Sequence, residues 1–219
     1  MHLKSELLSR ISGVTHGFGT LGEPLALPFI VEWERSSPRW RQVHQVACAE
    51  VKGSGQECGE VDALWSSHPA IPIAVVTADC VPILLAHRNG RAVAAVHAGW
   101  RGTRAHILSA LWSELAAQGE KPHDWVAAIG PAIGPCCYQV SEELAADFAT
   151  EFANLGPGVA VPRTRILDLP AINAAELRQI GLAEVDLIRT CTRCSKDPVF
   201  HSYRREGGGT RQWSAIQIN

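Results

Sequence analysis

The apolar positions of this chain are most regular in its middle third. Continuous apolar runs at residues 73–76 and 83–86, separated by Thr77-Ala78-Asp79-Cys80, read as short buried strands. Asn89-Gly90 follows, a pair that tolerates positive φ at both positions, so residues 92–97 are expected to pair back on the 83–86 strand as a hairpin. Gly99 and Gly102 then bracket Trp100-Arg101 as a tight turn into a helix. Leu108, Leu111, Trp112 and Leu115 recur along that helix at helical spacing, and Gly119 ends it. Residues 125–129 predict another strand, closed by Gly130-Pro131. Ser141 is a cap for a helix with Leu144, Phe148 and Phe152 on one stripe and Glu142 and Glu143 in its first turn. Pro170 suits the first turn of a third helix carrying Ile172, Leu177 and Ile180 and stopped by Gly181. Residues 185–188 and 211–218 complete the strands. The elements mix without a regular βαβ rhythm, which predicts an α/β or α+β fold with a mixed sheet and argues against a doubly wound one.

Composition narrows the class. The chain has 219 residues, of which 46% are hydrophobic and 19% charged, enough for a full core and too little charge for a disordered chain. No repeat, low-complexity tract or Gly/Ser-rich or Pro-rich linker divides it, so one domain is expected. A net charge of −2 offers no basic surplus for nucleic acid or an anionic membrane, and neither is expected as a partner. The best apolar run, residues 71–86, contains Asp79, Pro72 and Pro82 and falls short of the ~20 residues of a spanning helix. No apolar leader is visible at the N-terminus. Seven cysteines, an odd number in a chain too large to need a disulfide framework, predict a cytoplasmic protein with free thiols. The sequence carries no signal for oligomeric state.

Three residues stand out as chemistry. His44 lies in Arg41-Gln42-Val43-His44, Cys80 follows Asp79 at a strand end, and His97 ends the next strand. The expected hairpin sets Pro82 and His97 at the same end of the sheet, with Cys80 close by. One thiolate and two imidazoles suit zinc, and three protein ligands leave a fourth position open, the catalytic pattern. Equally, a buried Cys can be a small hydrophobe and a strand-end His simply a hydrogen-bonded one. Cys191-Thr192-Arg193-Cys194 reads as a redox pair, half a zinc site or free structural thiols. A second C-x-x-C is absent, and the adjacent Cys136-Cys137 is not expected to substitute for one. His201-Ser202-Tyr203-Arg204-Arg205 before Gly207-Gly208-Gly209 can receive a phosphate or carboxylate, or be a solvated loop. Residues 17–22 lack the context of a dinucleotide fingerprint, and no G-x-S-x-G nucleophile elbow occurs.

Taken in order, Gln42-Val43-His44-Gln45-Val46, Asp62-Ala63-Leu64-Trp65, Thr77-Ala78-Asp79-Cys80, His97-Ala98-Gly99-Trp100-Arg101-Gly102, Ile133-Gly134-Pro135-Cys136-Cys137-Tyr138 and Ser202-Tyr203-Arg204-Arg205 resemble the YfiH family of laccase-domain proteins. That family was once called polyphenol oxidases and is now described as purine nucleoside phosphorylases. The resemblance runs from His16-Gly17-Phe18 to the C-terminus and implies one laccase-type domain over residues 1–219, with mixed β-sheets layered between helices as α/β/β/α. It implies a metal site of His44, Cys80 and His97, with zinc expected and copper claimed for the oxidase activity of some members. The activities it implies are phosphorolysis of adenosine, guanosine, inosine and methylthioadenosine and deamination of adenosine. A role in the fidelity of cell-wall peptide assembly is attached to one bacterial branch. The sequence departs from the family at Leu21, where an Arg is usual, at His201, where a Phe is usual, and along Thr210-Arg211-Gln212-Trp213.

On this resemblance, Cys80, His97 and Asp79 are the expected catalytic residues, with Asp79 orienting a ligand or acting as a base. Arg101, Arg204 and Arg205 are expected to bind phosphate, the cation that phosphorolysis requires. Three rival readings remain. A copper-dependent polyphenol oxidase of the true multicopper kind needs paired H-x-H sites, and the nine histidines form none. A metal-free hydrolase with Cys80 as nucleophile and His97 as base uses the same residues. A binding module without catalysis uses neither.

Overall fold

The computed structural model describes residues 2–25 and 27–219. In chain order its elements are α1 (Glu6–Ser9), β1 (Val14–Phe18), α2 (Ile30–Ser36), β2 (Arg39–Arg41), β3 (Cys48–Glu50), β4 (Glu57–Glu60), β5 (Ala63–Ser66), β6 (Ile73–Thr77), β7 (Val81–His87), β8 (Val93–Ala98), α3 (Trp100–Arg104), α4 (Ile107–Ala117), β9 (Trp125–Ile129), α5 (Glu142–Glu151), α6 (Leu169–Ile180), β10 (Glu184–Leu187), α7 (Tyr203–Glu206) and β11 (Gln212–Ile218). A six-stranded mixed sheet runs β10-β9-β7-β8-β5-β3, parallel at its two ends and antiparallel between. A second, antiparallel sheet runs β1-β11-β6, and β2 and β4 form a small parallel pair.

The continuous apolar runs follow from burial on both faces. Along β7, Val81, Ile83 and Leu85 pack under the helices with Leu108, Leu111, Phe148, Ile172 and Leu177. Leu84 and Ala86 point the other way, onto Ile73, Val75 and Ile216 of the second sheet. The second sheet's outer face sets Ala74 and Ala215 against Phe29 and the Trp33, Trp40 and Trp213 cluster, where Trp33 meets Trp213 edge-on at 4.9 Å. The layers are therefore helices, six-stranded sheet, three-stranded sheet and the Phe29–α2 segment, a single domain of mixed sheets between helices. No helix of the described residues is long and apolar enough to cross a membrane.

The hairpin forms in the expected register, with Pro82 opposite His97 and Ala86 opposite Val93. Gly90 turns it at φ +74°, and a Cβ there would approach the Ser12 carbonyl oxygen to 2.3 Å, so the position excludes a side chain twice over. Ser141 caps α5 by accepting from the Leu144 N–H, Asp168 caps α6, and Gly181 ends α6 in the left-handed region at φ +114°. One expectation is corrected. The segment after Gly99 is not a turn into one helix but two helices, α3 and α4, broken at His106, whose φ is +58°. Both His106 ring nitrogens bond to carboxylates, Nδ1 to Glu176 at 2.6 Å and Nε2 to Glu151 at 2.9 Å. These tertiary partners accompany a backbone conformation that local helical periodicity does not reveal.

Candidate metal and substrate site

The site grows from one end of the six-stranded sheet. The β7–β8 hairpin returns His97 to the level of Pro82, two residues beyond Cys80. His44 arrives on the loop between β2 and β3, with φ +61°. The ligand atoms of His44, Cys80 and His97 all lie within 4.8 Å of one another, and the two imidazole rings meet edge-on at 4.8 Å. Exposure is graded across the trio: His97 is buried, Cys80 half-buried and His44 exposed, so the group opens toward solvent on one side.

Asp62 holds this arrangement, and residue-by-residue reading of the sequence missed it. Its carboxylate Oδ1 receives His97 Nδ1 at 2.7 Å and the His44 N–H at 3.0 Å. Its Oδ2 receives the N–H groups of Val43 at 3.1 Å and Gln45 at 2.8 Å. Its own carbonyl accepts the His97 N–H at 2.7 Å. One buried acid therefore folds the His44 loop and fixes the His97 ring, leaving His97 Nε2 for a ligand, the usual carboxylate–imidazole arrangement behind a metal. The available signal was its place in Asp62-Ala63-Leu64-Trp65, a segment of the resemblance that carries no metal-ligand type at ligand spacing.

The electrostatics agree with a thiolate. Burial pushes the Cys80 thiol up, but hydrogen bonds from His44 and His97 outweigh it and bring it down to about 6. Burial pulls His97 down, and its bonds to Asp62 and Cys80 reverse that, raising it to about 9. Burial also pushes the Asp62 carboxyl up, and the His97 and backbone hydrogen bonds carry it below the usual range. Gly99 lets these groups close up: a Cβ there would sit 3.1 Å from Cys80 Sγ and 3.2 Å from His44 Cδ2.

The other expected residues divide. Asp79, at φ +88°, accepts from Thr192 Oγ1 at 2.6 Å on one oxygen and from the Arg204 N–H at 2.7 Å on the other, so its carboxylate joins the C-terminal segments to the strand end. Arg101 is exposed, with its guanidinium 4.2 Å over the Trp100 ring. Arg204 donates to the Gln139 carbonyl at 2.8 Å and lies over the Tyr138 ring at 5.3 Å. Arg205 directs its donors at the carbonyls of Thr192, Arg193 and Phe200 and at Glu206. Tyr138, a second residue that sequence reasoning passed over, is nearly buried. Burial and the Cys80 charge push its phenol up to about 12, against the pull of Arg204. Cys80, Asp79, Arg101 and Arg204 all act on that one phenol. The two departures Leu21 and His201 share one cleft of about 500 Å³ with Thr210, Arg211 and Trp213.

A second group of donors corrects an expectation. Cys136 and Cys137 do reach Cys191 and Cys194: all four sulfurs lie within 4.8 Å of one another. The turn at Gly134, whose carbonyl accepts the N–H groups of both Cys137 and Tyr138, bends the adjacent pair around so that both thiols face one point.

A mixed-sheet fold presenting one thiol and two imidazoles where two central strand ends meet a loop, backed by a buried carboxylate, defines a protein with a candidate metal centre at one end of its sheet. Residues 31–219 match the family model described as multi-copper polyphenol oxidoreductase laccase, and the chain belongs to this family of YfiH-type laccase-domain proteins. A purine nucleoside phosphorylase of Deinococcus radiodurans is 37% identical over 182 residues, 82% of this chain and 69% of that protein. Purine nucleoside phosphorylase YfiH of Escherichia coli is 33% identical over 84% of this chain and 74% of its own. A protein named adenosine deaminase RL5, from an unknown prokaryotic organism, is 37% identical over 71% of this chain and 59% of its own. Among solved structures, YlmD from Geobacillus stearothermophilus superposes with a TM-score of 0.78 at 27% identity, covering 96% of this chain and 93% of that one.

Proposed function

We propose that this chain is a zinc-dependent purine nucleoside phosphorylase that also deaminates adenosine. The observation that carries the reading is the convergence of His44, Cys80 and His97 with Asp62 fixing the His97 tautomer. The donor set fits zinc: a thiol whose hydrogen bonds favour the thiolate, two imidazoles and a backing carboxylate, with an open side for a further ligand. When bound, the ion supplies Lewis-acid polarisation at that open position.

The chain's own residues then set the rest. Phosphorolysis joins a phosphate oxygen to the ribose carbon, breaks the bond to the purine and sends that electron pair, with a proton, to the departing base. Arg101 and Arg204, whose charges both act on the Tyr138 phenol, are the cations that receive phosphate. Asp79 acts through Arg204, whose backbone it holds. Tyr138 keeps its proton at neutral pH and is a hydrogen-bond donor to substrate. Arg205 braces the segment that carries Arg204. The relatives' printed names, phosphorylase and deaminase, support both halves of the reading.

The test is product analysis on inosine and adenosine. Free base and ribose 1-phosphate should form only with phosphate, arsenate should replace phosphate, and adenosine should release ammonia without it. Base release independent of phosphate would make the protein a hydrolase. Turnover of phenols alone, with copper, would establish the oxidase. Purified protein with neither metal nor turnover would be a binding module.

A further inference from the structure

We propose that Cys136, Cys137, Cys191 and Cys194 form a second, structural zinc site, separate from the His44–Cys80–His97 trio. The topology explains why residues so distant in sequence meet. β9 and β10 are parallel neighbours, so both chains leave the sheet at the same end. The two exits stay joined for a few residues: Ala132 bridges Cys191, with the Thr192 N–H donating to the Ala132 carbonyl at 3.0 Å. Each loop then makes a tight turn that gathers its own pair of thiols. Gly134 closes one turn with its carbonyl, and the Ser195 N–H closes the other on the Cys191 carbonyl at 3.0 Å.

The sulfur spacing discriminates between chemistries. A Zn–S bond of ~2.3 Å in a tetrahedron places neighbouring sulfurs about 3.8 Å apart. Cys136 Sγ and Cys194 Sγ lie 3.6 Å apart, and no pair among the four exceeds 4.8 Å. A disulfide needs about 2.05 Å, and all four cysteines are free thiols. The Gly134 N–H points at Cys191 Sγ from 3.3 Å, a donor aimed at a sulfur that is charged once metal-bound. Four soft donors with no oxygen or nitrogen ligand select zinc among the abundant divalent ions. Binding takes one proton from each thiol and moves no electrons.

Four protein ligands close the coordination sphere, so the site is a clamp and not a second reaction centre. What it clamps is specific. Cys137 precedes Tyr138, and Cys191 precedes Thr192, whose hydroxyl holds Asp79 beside Cys80. Arg163 and Arg205 donate to carbonyls of the same two loops, at Pro135 and Arg193, and bring positive charge toward a site of four thiolates.

The experiment is zinc content by elemental mass spectrometry on intact protein purified under reducing conditions without chelator. The wild type, Cys80→Ser, Cys194→Ser and Cys136→Ser/Cys194→Ser are compared. Two sites predict about two zinc ions per chain in the wild type and about one in each variant. Cobalt loaded into Cys80→Ser should show the intense visible bands of tetrahedral thiolate coordination, and these should vanish when Cys194→Ser is added. The exposed position of Cys194 keeps that single substitution compatible with folding, and a melting temperature lower by about 5 °C is expected. Failure of the trio reading leaves a distinct pattern: about one zinc in wild type and Cys80→Ser, and none in Cys194→Ser. Zinc content unchanged by both cysteine-loop variants, a mass showing disulfides among the four, or iron in place of zinc would each overturn the proposal.

Discussion

The two clusters of soft donors sit beside the same sheet and are built on opposite principles. In the His44–Cys80–His97 group, Cys80 and His97 stand at the ends of strands packed on both faces and His44 on a loop beside them, and a buried acid, Asp62, spends all of its acceptors holding it. The four cysteines stand on two turns beyond the ends of β9 and β10, two of them exposed, and the hydrogen bonds around them are mainly those of the turns themselves. The first group is pre-formed by the protein and open on one side, as a site that must exchange ligands requires. The second has no scaffold comparable to Asp62 and gains most from an ion that completes it. Folding energy flows from protein to metal in one case and from metal to protein in the other.

Removing Asp62 should break the first half of that contrast most severely. Asp62→Ala leaves three backbone N–H groups and the His97 ring without their acceptor in a buried setting, at a cost of about 3–5 kcal/mol. Urea unfolding should show that loss together with loss of the trio's metal. Asp62→Asn keeps the volume and part of the acceptor capacity, and should retain the fold while weakening metal affinity about 10- to 100-fold. An Asp62→Asn protein with wild-type affinity would mean that the carboxylate does not act through His97.

Cys80→Ala separates scaffold from ion. Zinc at the trio and purine turnover should both disappear, while circular dichroism and melting stay near wild type, because the strands hold the site without it. Retained zinc with lost turnover would instead support Cys80 as a nucleophile. The same experiment on Cys194→Ala should remove the second zinc and leave the trio's ion in place.

The difference between the clusters also decided what the sequence disclosed. The β7–β8 hairpin is legible because Asn89-Gly90 and two apolar runs are local signals, and the register then brings Cys80 and His97 together by arithmetic. The His44 loop is not local: it is wrapped on Asp62, 18 residues away, by backbone N–H groups that leave no side-chain pattern. β2 to β5 are three or four residues long, below the length at which alternation can be counted, and the break at His106 is accompanied by Glu151 and Glu176 from other helices. The four-cysteine cluster depends on β9 and β10 being parallel neighbours, a pairing no dipeptide announces. Adjacent cysteines suggested that Cys136-Cys137 could not serve as a ligand pair, and the turn at Gly134 removes that objection.

A smaller effect concerns reactivity. In metal-free protein, Cys80 is held as a thiolate down to about 6, so its alkylation should be fast above that pH and fall as pH drops through it. An ordinary thiol would lose reactivity from about 8.5 downward. Asp62→Asn, which weakens the His97 imidazolium beside the sulfur, should move the Cys80 midpoint upward. A midpoint near 8.5 in the unsubstituted apo protein would remove the electrostatic basis for the thiolate. Rates are read at Cys80 by mass spectrometry, with the other six cysteines as internal comparison.

The finest test uses the two glycines that face the two clusters. At Gly99 the backbone has φ −71°, which any residue adopts, so alanine there adds no backbone strain and probes space alone. Its Cβ would lie 3.1 Å from Cys80 Sγ and 3.2 Å from His44 Cδ2, inside normal contact, and both neighbours are proposed ligands. They must give way by a few tenths of an ångström, and a pre-formed site has little room to do so. Gly99→Ala should therefore weaken zinc at the trio several-fold with little change in melting temperature. At Gly134 the same methyl would meet Cys136 Sγ and Cys191 Cβ at 3.5 Å, ordinary van der Waals distance. A site completed by its ion on two turns absorbs that contact, so Gly134→Ala should keep its zinc. Equal sensitivity at the two positions, measured by competition with a chromogenic chelator, would mean that both sites are equally rigid and that the contrast between them is wrong.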